Sequence, residues 1–251
     1  MTMLLERRVL IAGTAVIMFG GVCGCGKAHA RDAEDDSGCW LPKGAGDDIL
    51  KRASPPRVFS QGSEPMESRS GNPILDRALA RGLATISKTF DVLPGFAYYR
   101  EAGRGNAKAM SDVLLDRTDG TVLFGLKMLE DLLGRSYPDA RILAVCAHEF
   151  GHILSYKNGM INELAKTGVY RAEQFADYMA GYFSGTRRLI NPKYPSVIFA
   201  STQSAFGGGD HGSGYKRGEA VQAGFLAAYQ QKLGAVDAAN AGFDFSMSRS
   251  L

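Results

Sequence analysis

The sequence predicts a single α+β domain that is mainly helical and carries a small mixed sheet. Three observations support this prediction. Several long segments repeat apolar residues at helical spacing and begin or end at capping residues. Two short segments, DVLPGFAYYR and DGTVLFGL, are rich in the aromatic and β-branched residues of strands. The 251 residues, 45% hydrophobic and 22% charged, suit one soluble domain with extensions.

The first 30 residues have the layout of a bacterial export signal. Arg7 and Arg8 precede an uncharged, mostly apolar run from Val9 to Val22, and Ala28-His29-Ala30 fits a small-residue cleavage box. The apolar run is shorter than the about 20 residues that a membrane-spanning helix needs. We therefore predict cleavage after Ala30 and an exported protein, periplasmic or secreted.

Two alternatives concern the same leader. The arginine pair also permits twin-arginine export, and the cysteines before Gly26 loosely resemble a lipobox that would anchor the chain through Cys25. Removing residues 1–30 lowers the formal charge from +3 to about +1, a balance without an electrostatic preference for polyanions. We expect no nucleic-acid partner, and membrane contact only through such a lipid anchor.

The mature chain is predicted to begin with a flexible extension. Residues 31–72 are rich in Asp, Ser, Gly and Pro and lack periodicity. Asn72 as N-cap and Pro73 at the first helical position then begin a helix that continues to Phe90. We place the folded domain at residues 73–234.

The remaining elements follow in order. The two strands enclose a polar, glycine-containing segment, and the tail from 235 to 251 is expected to be loose. Between these lie four predicted helices, at Lys127–Gly134, Asp139–Lys157, Tyr170–Ser184 and Gly214–Leu233, with a long glycine-rich loop before the last. The second of these helices is apolar almost all round from Ile142 to Ala147, which predicts that it is buried.

That buried helix carries the pattern H-E-x-x-H at His148, Glu149 and His152. Residues four apart lie about 40° apart around a helix axis, so both imidazoles can reach one cation. Glu149 lies about 100° from His148, beside the cation, where it can accept a proton from a metal-bound water. A structural helix with hydrogen-bonded histidines is the alternative, but burying these groups without partners would be costly.

A third ligand is needed, and a following helix offers one. The metzincin pattern fails, because its two downstream positions hold Ser155 and Asn158. Glu173 follows His152 after 20 intervening residues, on the next predicted helix, which can pack antiparallel against the first. Asp177, one turn further on the same face, can reach past the metal to hydrogen-bond a ligand imidazole.

The chain resembles the gluzincin metallopeptidases in its segments HEFGH and EQFAD, and GNAKA and DGTVLFGLKMLEDLL resemble the group related to HtpX and the CAAX-processing proteases (minigluzincins). The resemblance covers roughly residues 90–228. It implies a zincin-like fold with the small sheet beside the HExxH helix, and one zinc ion held by His148, His152 and Glu173. It also implies Glu149 as general base and acid, and strand 121–126 as the edge along which a peptide lies.

The chain departs from this family downstream, where relatives carry His-Pro and then Arg. Here His211 is followed by Gly212, and Tyr215 and Arg217 come after it. A donor is needed near the developing oxyanion, and our order of preference is His211, then Arg217, then Tyr215.

Cysteine use leaves two options open, since Cys39 and Cys146 could form a disulfide or Cys146 could be a buried thiol. The leading functional hypothesis is an exported zinc peptidase acting on peptides or proteins. The alternatives are a catalytically inert zinc-binding scaffold of the cell envelope and a zinc hydrolase of another substrate class. The sequence does not predict the oligomeric state.

Overall fold

The computed structural model describes residues 40–41, 47–64 and 72–250, and it has the mainly helical α+β architecture with a small mixed sheet that the sequence predicts. The predicted export signal, including Cys25, lies outside these residues. Within them, no helix is long and apolar enough to cross a membrane. The strands are β1 (Trp40–Leu41), β2 (Gly95–Tyr99), β3 (Ala107–Met110) and β4 (Thr121–Gly125). The helices are α1 (Asp47–Leu50), α2 (Pro73–Phe90), α3 (Leu126–Leu133), α4 (Pro138–Lys157), α5 (Ile161–Leu164), α6 (Tyr170–Ile190), α7 (Val197–Ala205), α8 (Gly214–Tyr229) and α9 (Ala235–Met247), with a 3-10 turn at Gly209–His211.

Local capping signals act where the sequence indicates. The side chain of Asn72 accepts hydrogen bonds from the backbone N–H groups of Ile74 and Leu75 at 3.1 and 3.2 Å. Pro73 loses nothing at the first helical position, where its missing N–H would have no partner within the helix. Gly159 ends α4 with a φ of +69°, a conformation that residues with a Cβ rarely adopt.

The sheet has the strand order β1-β3-β4-β2, so β4 lies in its interior. β4 pairs in parallel with β2 and antiparallel with β3. The prediction that strand 121–126 forms an edge is therefore wrong. The reason is that the polar segment between the two predicted strands contributes a strand of its own, β3, whose Ala107 and Ala109 enter the core. Small alanines beside polar residues give a weak strand signal.

The two faces of the sheet have different covers. The face bearing Phe96, Tyr98 and Phe124 belongs to the main core that the helices complete. The opposite face carries Tyr99 and Leu123 and forms a second, smaller apolar cluster. That cluster consists of Leu41, Ile49, Ala97, Tyr99, Met110 and Leu123. Residues before position 72 thus supply part of its cover.

The expectation of a flexible extension at 31–72 is corrected for the residues described there. β1 pairs with β3, and the backbone N–H groups of Ser54 and Arg57 donate to the carbonyls of Tyr98 and Phe96 at 2.8 and 2.9 Å. These bonds satisfy polar groups along the outer side of β2, which would otherwise need other partners. The ordered domain therefore begins well before Pro73.

α4 lies at the centre of the main core. It packs against α2, α6, α7 and the strands β3 and β4, and nearly every residue from Ile142 to Ser155 is buried. Gly151 allows α4 to lie close to α6, since a Cβ there would lie 2.9 Å from the Cα of Ala176. This contact brings the histidines of α4 against the acidic residues of α6.

The C-terminal part differs from the prediction in two places. Part of the long loop before α8 is a helix, α7. The tail predicted to be loose is helix α9 over residues 235–247, so the domain extends beyond residue 234. α9 buries Ala238, Ala239 and Gly242, and the ring of Phe245 lies 5.6 Å from that of Tyr178. Its contact face is made of small residues, which give little apolar periodicity.

Candidate metal centre

Two histidines and one glutamate converge between α4 and α6. His148 and His152 lie one turn apart, and their rings are 4.8 Å apart and nearly perpendicular. The Nε2 atom of His148 is 3.2 Å from Oε2 of Glu173, and Nε2 of His152 is 3.4 Å from its Oε1. All three side chains are buried, with exposures of 2% or less.

This group could hold a metal ion. One ligand atom from each of the three residues lies within 4.8 Å of the others. Zinc-to-ligand distances near 2.0–2.1 Å in a tetrahedral site place neighbouring ligand atoms about 3.3 Å apart, close to the two distances between Glu173 and the imidazoles. Neither ring nitrogen of His152 makes a hydrogen bond to the described residues, nor does Oε1 of Glu173. A cation would compensate for burying these polar atoms.

The directions of two pKa shifts favour the forms that bind metals. Burial alone would raise the pKa of Glu173, but its electrostatic interaction with His152 and the hydrogen bond from His211 hold that pKa well below its usual value. Burial lowers the pKa of His152, although the carboxylate of Glu173 opposes this. An ionised carboxylate and a neutral imidazole are the forms that ligate metals.

Asp177 orients one of the imidazoles. Its Oδ1 lies 2.8 Å from Nδ1 of His148 and accepts the proton of that nitrogen. With the proton on Nδ1, the lone pair of Nε2 faces Glu173 and the space between the three side chains. The structure thus places Asp177 where the sequence analysis expected a carboxylate behind the ligands.

Arg217 contacts Asp177. Its Nε and Nη2 atoms donate to the two carboxylate oxygens at 2.7 and 2.8 Å, and Nη1 donates to the carbonyl of Phe206 at 3.2 Å. Burial would raise the pKa of Asp177, but the charge of Arg217 and the imidazole of His148 lower it on balance. This bidentate geometry favours a role in holding Asp177 over the predicted role at the oxyanion.

His211 reaches the centre from the glycine-rich segment before α8. Its Nδ1 is 2.8 Å from Oε2 of Glu173, and its side chain is 20% exposed. The 3-10 turn brings it there, and Gly212, with a φ of +80°, passes so close to Tyr170 that a Cβ would lie 2.5 Å from its ring. Tyr215, the third oxyanion candidate, is 76% exposed and does not line the cleft described next.

A cleft of about 420 Å³ opens over these residues. His148, Glu149 and His211 line it on one side, and the segment Asn106–Lys108, which includes the start of β3, lines another. Glu101 connects that wall to α3, because its carboxylate accepts the backbone N–H group of Asn106 at 3.3 Å and those of Lys127 and Met128 at 2.9 and 3.0 Å. The carboxylate of Glu149 is not one of the three potential ligands. It lies beside them in a cleft that is also lined by a strand.

Sequence reasoning missed two polar residues near the centre, Glu101 and Gln203. Glu101 lies in the polar, glycine-containing segment after β2, and Gln203 lies on α7, where the sequence predicts a loop. Gln203 contacts Arg217 and the backbone of α4. Cys146 is a buried free thiol whose pKa burial raises, while Cys39 lies outside the described residues.

Comparison with known proteins adds no relative to this description. No family model, curated protein or solved structure matches the chain. Fold and site therefore define the chain as a mainly helical α+β protein with a buried His/His/Glu group able to bind a metal ion. What that group does has to be argued from its own chemistry.

Proposed function

We propose that the chain is a zinc-dependent metallopeptidase of the gluzincin type, with a zincin-like fold. The observation that carries this proposal is the position of Glu149, which lines the cleft beside His148 while the buried His/His/Glu group supplies three ligands. Two imidazoles and one carboxylate form the ligand set of catalytic zinc sites such as that of thermolysin, where three protein ligands leave a fourth position open. A structural zinc site would be closed by a fourth protein ligand.

The residues of the chain divide the chemistry between them. When bound, zinc lowers the pKa of its water toward about 7 and polarises the scissile carbonyl. Glu149 accepts the proton of the attacking water and delivers it to the leaving amine. His211, which lines the cleft, is the donor that we assign to the developing oxyanion. Arg217 donates two hydrogen bonds to Asp177, so we do not assign it as the oxyanion donor.

The substrate is proposed to be an extended peptide or an unfolded protein. β4 is interior, so the strand next to the cleft is β3 instead. β1 pairs with Ala109 and Met110 of β3, and the preceding residues Asn106 to Lys108 line the cleft. A peptide would lie along this segment by strand addition, with backbone hydrogen bonds giving affinity. We retain the proposal that the protein is exported, on the basis of its N-terminal sequence.

Glu149→Gln tests the role of the carboxylate. We expect the variant to keep one zinc per chain, because Glu149 is not a ligand, and to lose cleavage of casein by at least about 100-fold, the usual contribution of a general base. Zinc is measured by elemental analysis and cleavage by release of soluble peptides, with and without a chelator. Glu163→Gln, at an exposed acid of α5, is the matched control.

Three results would contradict this proposal. Full activity in Glu149→Gln would remove the general base. Zinc in the wild type without cleavage of any peptide or unfolded protein would favour the inert scaffold instead. Absence of zinc under conditions that load other zinc proteins would refute the metal centre itself.

A further inference from the structure

Gln203 uses both ends of its side-chain amide in the interior of the protein. It lies on α7 and is 2% exposed. Its Nε2 donates to the carbonyl of Ala144 at 3.0 Å, and its Oε1 accepts from Nη2 of Arg217 at 2.9 Å. A buried amide needs such partners, so the bonds alone indicate a satisfied core residue.

Both hydrogen-bond partners of Gln203 are connected to His148, which indicates a role beyond filling its own hydrogen bonds. Ala144 lies one turn before His148 on α4, so Gln203 contacts the turn that carries this imidazole. Arg217 pairs with Asp177, which accepts the proton on Nδ1 of His148. One amide therefore contacts both the backbone one turn before His148 and Arg217, which holds the carboxylate that orients the ring of His148.

The geometry of Arg217 shows what the amide restrains. A planar guanidinium bound to Asp177 by Nε and one Nη atom can still tilt about that edge. The bond from Nη2 to Gln203 opposes such a tilt, since the same nitrogen also bonds Asp177 and lies 3.4 Å from Nδ1 of His148. Loss of Gln203 would remove one acceptor of Nη2 and leave the contact of Nη1 with the carbonyl of Phe206 to oppose the tilt on that side of the guanidinium.

We propose that Gln203 is a positioning residue for the metal centre, acting through Arg217 and Asp177 to keep Nε2 of His148 directed at the metal. The proposal rests on the metal centre of the proposed function but not on peptidase activity. It adds a fourth helix to the support of the site, since α4, α6, α7 and α8 each contribute one member of the chain of contacts.

The test compares two buried polar residues of α7 that both contact α4. Gln203→Met keeps the side-chain volume and removes both hydrogen bonds. Thr202→Val is the matched control, because Thr202 is equally buried and accepts a bond from Arg141 of α4 at 3.1 Å but does not contact Arg217. Each purified full-length variant is loaded with cobalt for its visible absorption spectrum and titrated with zinc against a chelator.

We expect Gln203→Met to change the cobalt spectrum and to weaken zinc binding by about tenfold, the lower end of the loss seen when a group behind the ligands is removed. Gln203→Glu keeps an acceptor for Arg217, so its zinc affinity should lie between those of the wild type and Gln203→Met. Thr202→Val should lower the melting temperature and leave spectrum and affinity unchanged. The proposal would be overturned if Gln203→Met had the cobalt spectrum and zinc affinity of the wild type. It would also be overturned if Gln203→Met and Thr202→Val weakened metal binding equally.

Should Gln203→Met fail to fold, the wild type carries the test. Zinc addition should shift the NMR signals of the side-chain amide of Gln203 and leave those of the exposed Gln222 unmoved. An unmoved Gln203 signal in a protein that binds zinc would overturn the positioning role alone. A wild type that binds neither metal would overturn it together with the proposed function.

Discussion

Asp177 shows at the scale of one residue what a buried carboxylate contributes here. It accepts hydrogen bonds from His148 and from Arg217, and all three side chains are buried. The net worth of such a buried ion pair is small, because desolvating both charges offsets most of their attraction. Removing one partner is expensive, however, since the other charge then stays buried alone. Orientation of the imidazole, more than stability, explains why a charged pair fits this position.

Asp177→Asn is the corresponding prediction. The amide cannot neutralise Arg217, so the free energy of unfolding should fall by about 3–5 kcal/mol, the cost of breaking a buried pair. The neutral amide is a weaker acceptor for Nδ1 of His148 than the carboxylate, so zinc binding should weaken about 10- to 100-fold. Chemical denaturation and chelator competition measure the two effects.

The matched control for Asp177→Asn is Glu219→Gln on α8. Glu219 pairs with Arg249 at 3.4 Å, and both side chains are about one-third exposed. Such a pair contributes at most about 1 kcal/mol, so the control should change little. Zinc affinity in Asp177→Asn equal to that of the wild type would show that Asp177 does not orient the ligand.

At the scale of elements, small residues decide how closely the helices approach. Gly151 of α4 faces Ala176 of α6, and Gly181 of α6 faces the backbone of Val221 on α8. At Gly181 a Cβ would lie 1.9 Å from the carbonyl oxygen of Val221. The candidate metal centre spans these helices, because its His/His/Glu group comes from α4 and α6 and Arg217 comes from α8. The spacing of the helices is therefore part of the site.

Gly151→Ala should separate α4 from α6. Alanine is the better helix former by about 1 kcal/mol, but its Cβ would lie 2.9 Å from the Cα of Ala176, and such overpacking costs about 1–3 kcal/mol. We expect no gain in stability and weaker zinc binding, because His148 and His152 would move relative to Glu173. Thermal unfolding and zinc titration measure both.

Gly134→Ala provides the comparison for Gly151→Ala. A Cβ at Gly134 would meet its nearest neighbour at 3.6 Å, an ordinary contact. This variant should bind zinc like the wild type. Unchanged zinc affinity in Gly151→Ala would mean that the helices adjust without moving the ligands.

At the scale of the whole molecule, both ends of the described chain are built into the domain. Leu41 and Ile49 join the apolar cluster on the outer face of the sheet, and Ile49 also lines the cleft. At the other end α9 packs on α6, and Tyr182 of α6 donates to the carbonyl of Leu233 at 3.0 Å. A fragment of residues 73–234 would lack the residues that cover the outer face of the sheet, and it would lack the helix α9 that packs on α6.

Removal of residues 235–251 tests this for the C-terminal end. Tyr178 would lose the ring of Phe245 and the backbone at Gly242, contacts comparable to a large-to-small change in a core, which costs about 3–5 kcal/mol. The melting temperature should fall by roughly 6–20 °C at this chain length. Val236→Ser, at a residue 75% exposed on the same helix, should leave it unchanged. A loose tail would predict no effect of the truncation.

The sequence by itself determined the features that depend on neighbouring residues. Helical geometry places His148 and His152 one turn apart, and Asn72 and Pro73 begin α2, whatever the rest of the chain does. Burial of α4 follows from its apolar run. Glu173 and Asp177 could be selected because they too lie one turn apart, on the next long helix. These predictions rest on backbone periodicity, which acts over a few residues.

Only the tertiary structure decided which distant groups meet. Arg217 is 40 residues from Asp177, and Gln203 is 59 residues from Ala144, and no periodicity connects such positions. The interior place of β4 and the packing of α9 likewise depend on β3 and on small-residue contacts whose local signal is weak. Close packing selects these arrangements because a buried polar group without a partner is costly, and partners are found in space rather than along the chain.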